Sequence, residues 1–171
     1  AFSWDNLLLA CTKCNSSKGC CFEIVGTRAD YEKDYADLSL AEVQDLITLL
    51  DETEKPLLVN PEQEEQTFFD ENLVFDMKTG EISSKNKRLA HTIHICNLKR
   101  DELNKLRLEL INNLRNKINE RKNDYRTHNN LKEYARDIAN LRKDWQTKLK
   151  TNPKFSALYK YIDTHFKELL T

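Results

Sequence analysis

Two cysteines separated by two residues, Cys11 and Cys14, are the sharpest chemical signal in this 171-residue chain. That spacing is one half of a structural zinc site, which needs a second pair of ligands to close a tetrahedron. A redox dithiol and coincidence are the competing readings of a lone C-x-x-C. Asn6 and Asn15 lie nine residues apart and bracket the pair. Asn15 follows Cys14 directly and can offer an amide oxygen to a hard cation of the magnesium type. Asn6 reads equally as a helix N-cap, and Asn15 as a solvent-facing residue at a helix end. The other cysteines are Cys20, Cys21 and Cys96, an odd total of five. Odd, clustered cysteines with no secretory signal suggest metal binding before disulfides, and Cys96 reads as a small buried hydrophobe.

The elements expected to position these residues follow from caps and periodicity. Asp5 to Lys18 reads as a short helix capped by Asp5 or Asn6 and stopped by Gly19. Ser39 and Glu42 have capping-box spacing, with Leu40, Val43, Ile47 and Leu50 on one face behind them. Asp51 to Lys55 reads as an acidic break, and Pro56 as a helix stop. Leu57–Val59 reads as a short strand before the Asn60-Pro61 turn. Leu73–Phe75 and Ile82 flank Lys78-Thr79-Gly80 as a hairpin. Three helices fill the last third. Their apolar stripes are Leu103, Leu106, Leu110, Leu114, Ile118, then Leu131, Tyr134, Ile138, Leu141, Trp145, Leu149, then Phe155, Leu158, Ile162, Phe166, Leu169. Asn152-Pro153 opens the third. Tyr159 and Tyr161 fall off that last stripe, which predicts exposed aromatic anchors for a partner.

No apolar run approaches the roughly 18 residues of a membrane span, and no signal peptide opens the chain, so the expected location is cytoplasmic. The chain starts at Ala1 on a motif already half written, and a native N-terminus upstream is expected. The net charge of −1 hides a split. Residues 91–171 carry 18 Lys/Arg against 10 Asp/Glu, while residues 1–90 carry 9 against 18. A basic half of this kind suits either a polyanion or docking on an acidic surface.

The string Trp4-Asp5-Asn6-Leu7-Leu8-Leu9-Ala10-Cys11-Thr12-Lys13-Cys14-Asn15-Ser16-Ser17-Lys18-Gly19 resembles the second half of the zinc-containing HNH endonuclease motif. The resemblance implies a ββα-metal unit. Asn6 matches the middle Asn, which positions the His-bearing hairpin. Asn15 matches the final ligand of the catalytic Mg2+ or Mn2+. Cys11 and Cys14 match two of four ligands of a structural Zn2+, and Lys18 can face phosphate. The family's general-base His, an acidic ligand beside it and the other Cys pair would lie upstream of Ala1. His91, His94, His128 and His165 do not sit where the family places its base.

Three further elements resemble one HNH subfamily, the nuclease subunit of Septu-type anti-phage systems, retron-linked members included. They are Lys55-Pro56-Leu57-Leu58-Val59-Asn60-Pro61, then Asn72-Leu73-Val74-Phe75 with Gly80, then Thr92–Arg100 with Leu103 and Arg107. Lys99 stands where the subfamily's Leu-Asn-Arg has Asn. The implied fold class is α+β, mostly helical, with residues 1–97 as the nuclease region and 98–171 as a helical C-terminal region. The implied function is metal-dependent hydrolysis of phosphodiester bonds, in DNA or alternatively in RNA, beside an SMC- or ABC-type ATPase. A retron reverse transcriptase with its RNA and DNA is a further implied partner. A catalytically dead interaction module is the rival class.

Overall fold

Seven α-helices, one antiparallel hairpin and a closing 3-10 turn occupy the described residues, 10–28, 39–151 and 155–170, of this computed structural model. The described residues are mostly helical, with one two-stranded sheet among them. No described helix is long and apolar enough to cross a membrane. Two compact units are present. One comprises Ala1–Glu64 with Asn86–Asn97, and the other Glu65–Lys85 with Leu98–Thr171.

In the first unit, α1 (Thr12–Lys18) begins at Cys11, whose sulfur accepts the Cys14 amide, and ends at Gly19 with φ 52°. Helix α2 (Leu40–Glu54) starts on the capping box expected of Ser39 and Glu42. Its last carbonyls would be orphaned, as at any helix C-terminus. Here the chain comes back over them. The amides of Thr27, Gly26 and Val25 donate in turn to the carbonyls of Thr53, Glu54 and Lys55. The Leu57 amide donates to the Glu23 carbonyl beside an Ile24–Pro56 bridge. Gly26 is needed because a Cβ there would land on the Thr53 carbonyl. Helix α4 (Lys87–Ile95) is capped by Asn86, whose amide oxygen accepts from Arg88 and Leu89. The Thr92 hydroxyl accepts the Val59 amide at 2.9 Å, and Arg88 donates to the Pro56 carbonyl and to Glu64. These bonds strap 56–64 onto α4, with Val59, Leu89 and Ile93 buried between.

In the second unit, α3 (Gln66–Asn72) runs directly into β1 (Leu73–Phe75), which pairs with β2 (Ile82–Ser84) in the register Phe75 to Ile82. Asp76 shapes the connecting loop by accepting the amides of Lys78 and Thr79. Helices α5 (Asp101–His128) and α6 (Leu131–Thr151) form a helical hairpin, reversed at Asn129, which sits in the left-handed region at φ 51°. The core gathers Ile111, Leu114, Ile118 and Trp145 with Leu158, Tyr159 and Ile162 of α7 (Ser156–Thr164). Phe166 and Leu169 of the final turn, Phe166–Leu170, close it. Arg107 lies inside this unit at 5% exposure. It donates to the Leu98 carbonyl and the Asn104 amide oxygen, both at 2.9 Å, and to the Gly80 carbonyl at 3.5 Å. Burial pulls its pKa below the usual arginine value, and neighbouring Arg100 adds to that shift. Gly80, at φ 74°, passes so close to α5 that a Cβ would strike the Asn104 carbonyl.

Several expectations are corrected. The first described helix starts at Thr12, because the Cys11 sulfur supplies its cap; Asp5 and Asn6 lie outside the described residues. Asp51–Glu54 is the last turn of α2, and Leu57–Val59 makes no strand beyond the Pro56 bridge. Helix α7 starts at Ser156 behind Phe155; the proposed Asn152-Pro153 opening lies outside the described residues. On α5 the buried line is Arg107, Ile111, Leu114, Ile118, while Leu106 is exposed. The exposed aromatic anchors are also overturned. Tyr159 is 3% exposed, its ring tilted against that of Trp145, whose indole donates to its carbonyl. Tyr161 lies between Phe75 and His165, and Tyr125 packs on Tyr134.

Two stability predictions follow from these contacts. Gly26→Ala forces backbone apart at the end of α2 and is expected to destabilise by about 1–3 kcal/mol; an unchanged urea midpoint would refute the close approach. Arg107→Lys keeps the charge but cannot span three oxygens, so it too should destabilise, by about 1–3 kcal/mol. Thermal melts of Arg107→Lys matching those of the parent would show that charge alone matters there.

Candidate functional site

Four of the residues singled out by sequence, Cys11, Cys14, Asn15 and Lys18, recur at the i, i+3, i+4, i+7 spacing that puts them on one face of α1. Local sequence explains why the helix begins where it does. Cys11 stays extended at φ −65°, ψ 148°, so its sulfur turns back over the first turn and accepts the Cys14 amide at 3.2 Å. The two sulfurs then lie 2.6 Å apart. Cys11 and Asn15 are exposed, and Cys14 and Lys18 are half-buried. Asn15 is fixed by its backbone, donating to the Cys11 carbonyl and accepting from Gly19, so its amide side chain projects from a closed turn.

The sulfur pair has the sequence spacing of half a zinc site, but its sulfurs lie closer together than zinc-bound thiolates do. Thiolates on one tetrahedral zinc stand about 3.8 Å apart, given zinc–sulfur bonds near 2.3 Å. A modest side-chain rotation opens the pair to that separation. Among the described residues no three His, Cys, Asp or Glu side chains converge on one point. A metal held here by Cys11 and Cys14 therefore takes its other ligands from elsewhere. Asn6 lies outside the described residues, so its relation to Asn15 is not described.

Cys96 is the residue that sequence reasoning placed wrongly. It is half-buried at the C-cap of α4, rather than fully enclosed. Burial pushes its thiol pKa up, the Cys14 and Cys11 thiols push the same way, and Lys18 opposes them. These influences reflect that the C-cap of α4 lies near Cys11, Cys14 and Lys18. No local signal marks this, because the two helices are far apart in the chain.

The four histidines have packing or surface settings. His91 faces Glu23 at 3.7 Å, His94 is exposed, His128 contacts the Asp124 carbonyl, and His165 stacks on Tyr161. The subfamily-like elements are also accounted for by packing: Pro56 and Val59 are held by Arg88 and Thr92, and Leu98 and Gly80 by Arg107.

A raised Cys96 pKa means less thiolate at a given pH. Cys96 is expected to alkylate several-fold more slowly than Cys20 and Cys21 at pH 8, and to catch up as pH rises. Peptide-resolved labelling with iodoacetamide tests this; equal rates at pH 8 would contradict the buried, thiol-flanked setting. Comparison of the chain with protein-family models, with curated proteins and with solved structures finds no match.

Proposed function

We propose that the chain is part of a metal-dependent HNH nuclease that hydrolyses phosphodiester bonds, with DNA as substrate, and that it works beside an SMC- or ABC-type ATPase in anti-phage defence. The observation that carries the nuclease reading is the single face of α1 bearing Cys11, Cys14, Asn15 and Lys18. On this reading the cysteine pair anchors the helix through a structural zinc, a role that substitutes for a core too small to hold α1 alone. None of the seven α1 residues is buried, which is consistent with a helix that needs such an anchor. Asn15 presents its amide oxygen to a catalytic Mg2+ or Mn2+, and Lys18 offers a charge to the scissile strand. The metal, when bound, polarises the phosphoryl oxygen and stabilises the leaving oxygen. The family resemblance assigns Asn6 to positioning the group that serves as general base. The ATPase partnership rests on the family resemblance, since the aromatic side chains first read as docking anchors are engaged within the second unit.

Asn15→Ala, made in the protein carrying the complete motif, is expected to lower magnesium-dependent cleavage of DNA at least about 100-fold. Circular dichroism should be unchanged, because only the backbone of Asn15 takes part in the turn. Assays on duplex DNA, single-stranded DNA and RNA with either metal check the reading. Full activity of the variant on every substrate would rule out Asn15 as the ligand.

A further inference from the structure

The Cys11–Cys14 pair has a second chemistry. The Cys11 sulfur folds over the first turn of α1 and touches the Cys14 sulfur, so with one of the two exposed the pair needs little motion to become covalently joined. Residues three apart at a helix start have Cα atoms about 5 Å apart, inside the 4.4–6.8 Å range of disulfides. Cys11, the exposed sulfur, is the accessible nucleophile. Cys14, half-buried behind it, is placed to attack it in turn.

We propose that Cys11 and Cys14 are a modification site: a dithiol that low-molecular-weight disulfides such as oxidised glutathione convert to an intramolecular disulfide. In the first step the Cys11 thiolate attacks one sulfur of the reagent. A Cys11–glutathione bond forms, the reagent's S–S bond breaks, and one glutathione thiolate leaves. In the second step the Cys14 thiolate attacks the Cys11 sulfur, the ring closes, and the second glutathione thiolate leaves. The protein loses two electrons and its two thiol protons, and the reagent gains them as two thiols. The near contact makes the second step intramolecular, so the mixed disulfide should not accumulate.

The consequence for activity rests on the nuclease reading above. A disulfide and a zinc ion compete for the same two sulfurs, so oxidation removes the anchor of α1 and with it the placing of Asn15. Zinc, in turn, shields the pair from oxidation.

The test begins with the reduced, metal-free full chain treated with oxidised glutathione. Intact mass, followed by alkylation and peptide mapping, reads the product. The expected result is a peptide carrying Cys11 and Cys14 that is lighter by two hydrogens, protected from alkylation and free of glutathione, whatever the exposed Cys20 and Cys21 carry. Cys14→Ser should instead keep one glutathione on Cys11, while Cys96→Ser should behave like the parent. Glutathione retained on Cys11 or Cys14 of the parent protein, or a disulfide joining either of them to Cys20, Cys21 or Cys96 instead, would overturn the assignment. Repeating the reaction after equilibration with zinc tests the competition separately: oxidation should slow at least about tenfold, and an unchanged rate would remove the link to zinc. Because these readouts are masses, they stand or fall independently of any cleavage assay.

Discussion

A guanidinium inside a protein must find oxygen for its donors, and Arg107 finds it in three places that are separate along the chain. The Leu98 carbonyl precedes α5, Asn104 lies on it, and Gly80 closes the hairpin loop. Desolvating such a group is costly, and unmade hydrogen bonds would raise that cost further. The helix start and the hairpin loop are therefore fixed together. Gly80 is constrained by the same closeness, since its φ of 74° and the nearby Asn104 carbonyl leave no room for a side chain. Arg115 repeats the device on a smaller scale by reaching the Met77 carbonyl. What looks in the sequence like a short floating hairpin is pinned by two arginines of one helix.

The first unit solves a different problem with backbone amides. Its longest helix ends under three successive N–H groups from residues 25–27, so the carbonyls at its C-terminus are satisfied by chain rather than by water. That crossing requires Gly26. Thr92 then uses one hydroxyl twice, accepting from Val59 and donating to the Arg88 carbonyl. Among the described residues of this unit, Val59, Leu89 and Ile93 carry the buried apolar part. Such a unit relies on directional bonds, which suits the proposal that zinc supplies part of its cohesion.

Local signals were legible where a side chain acts on its own helix. The capping box at Ser39, the stop at Gly19 and the hairpin around Gly80 all involve neighbours within a few residues. Helix α3 carries no local sequence signal, because it has no side-chain cap and no fully buried residue. Helix α4 had a usable signal, Asn86 before Leu89 and Ile93, which was read only as part of a longer motif. The α5 stripe was misdrawn because Arg107 occupies an apolar register, and its partners come from other segments. A single apolar stripe on α7 leaves Tyr159 and Tyr161 outside it, but that helix is covered on more than one side. In fact Trp145 covers one flank and Phe75 another. The α1 face was fully legible from spacing. The approach of Cys96 to it was not, since no local rule connects the two.

The elements that most suggested a specific nuclease subfamily have turned out to be fasteners. Pro56 to Val59, Thr92, Leu98 and Arg107 close hydrogen bonds between segments, and none belongs to the face of α1 where chemistry is proposed. A chain could keep every one of them after losing Asn15 and still fold in the same way. The residues that hold this fold together and the residues that could do chemistry are therefore separable sets, and a change in one need leave no mark on the other.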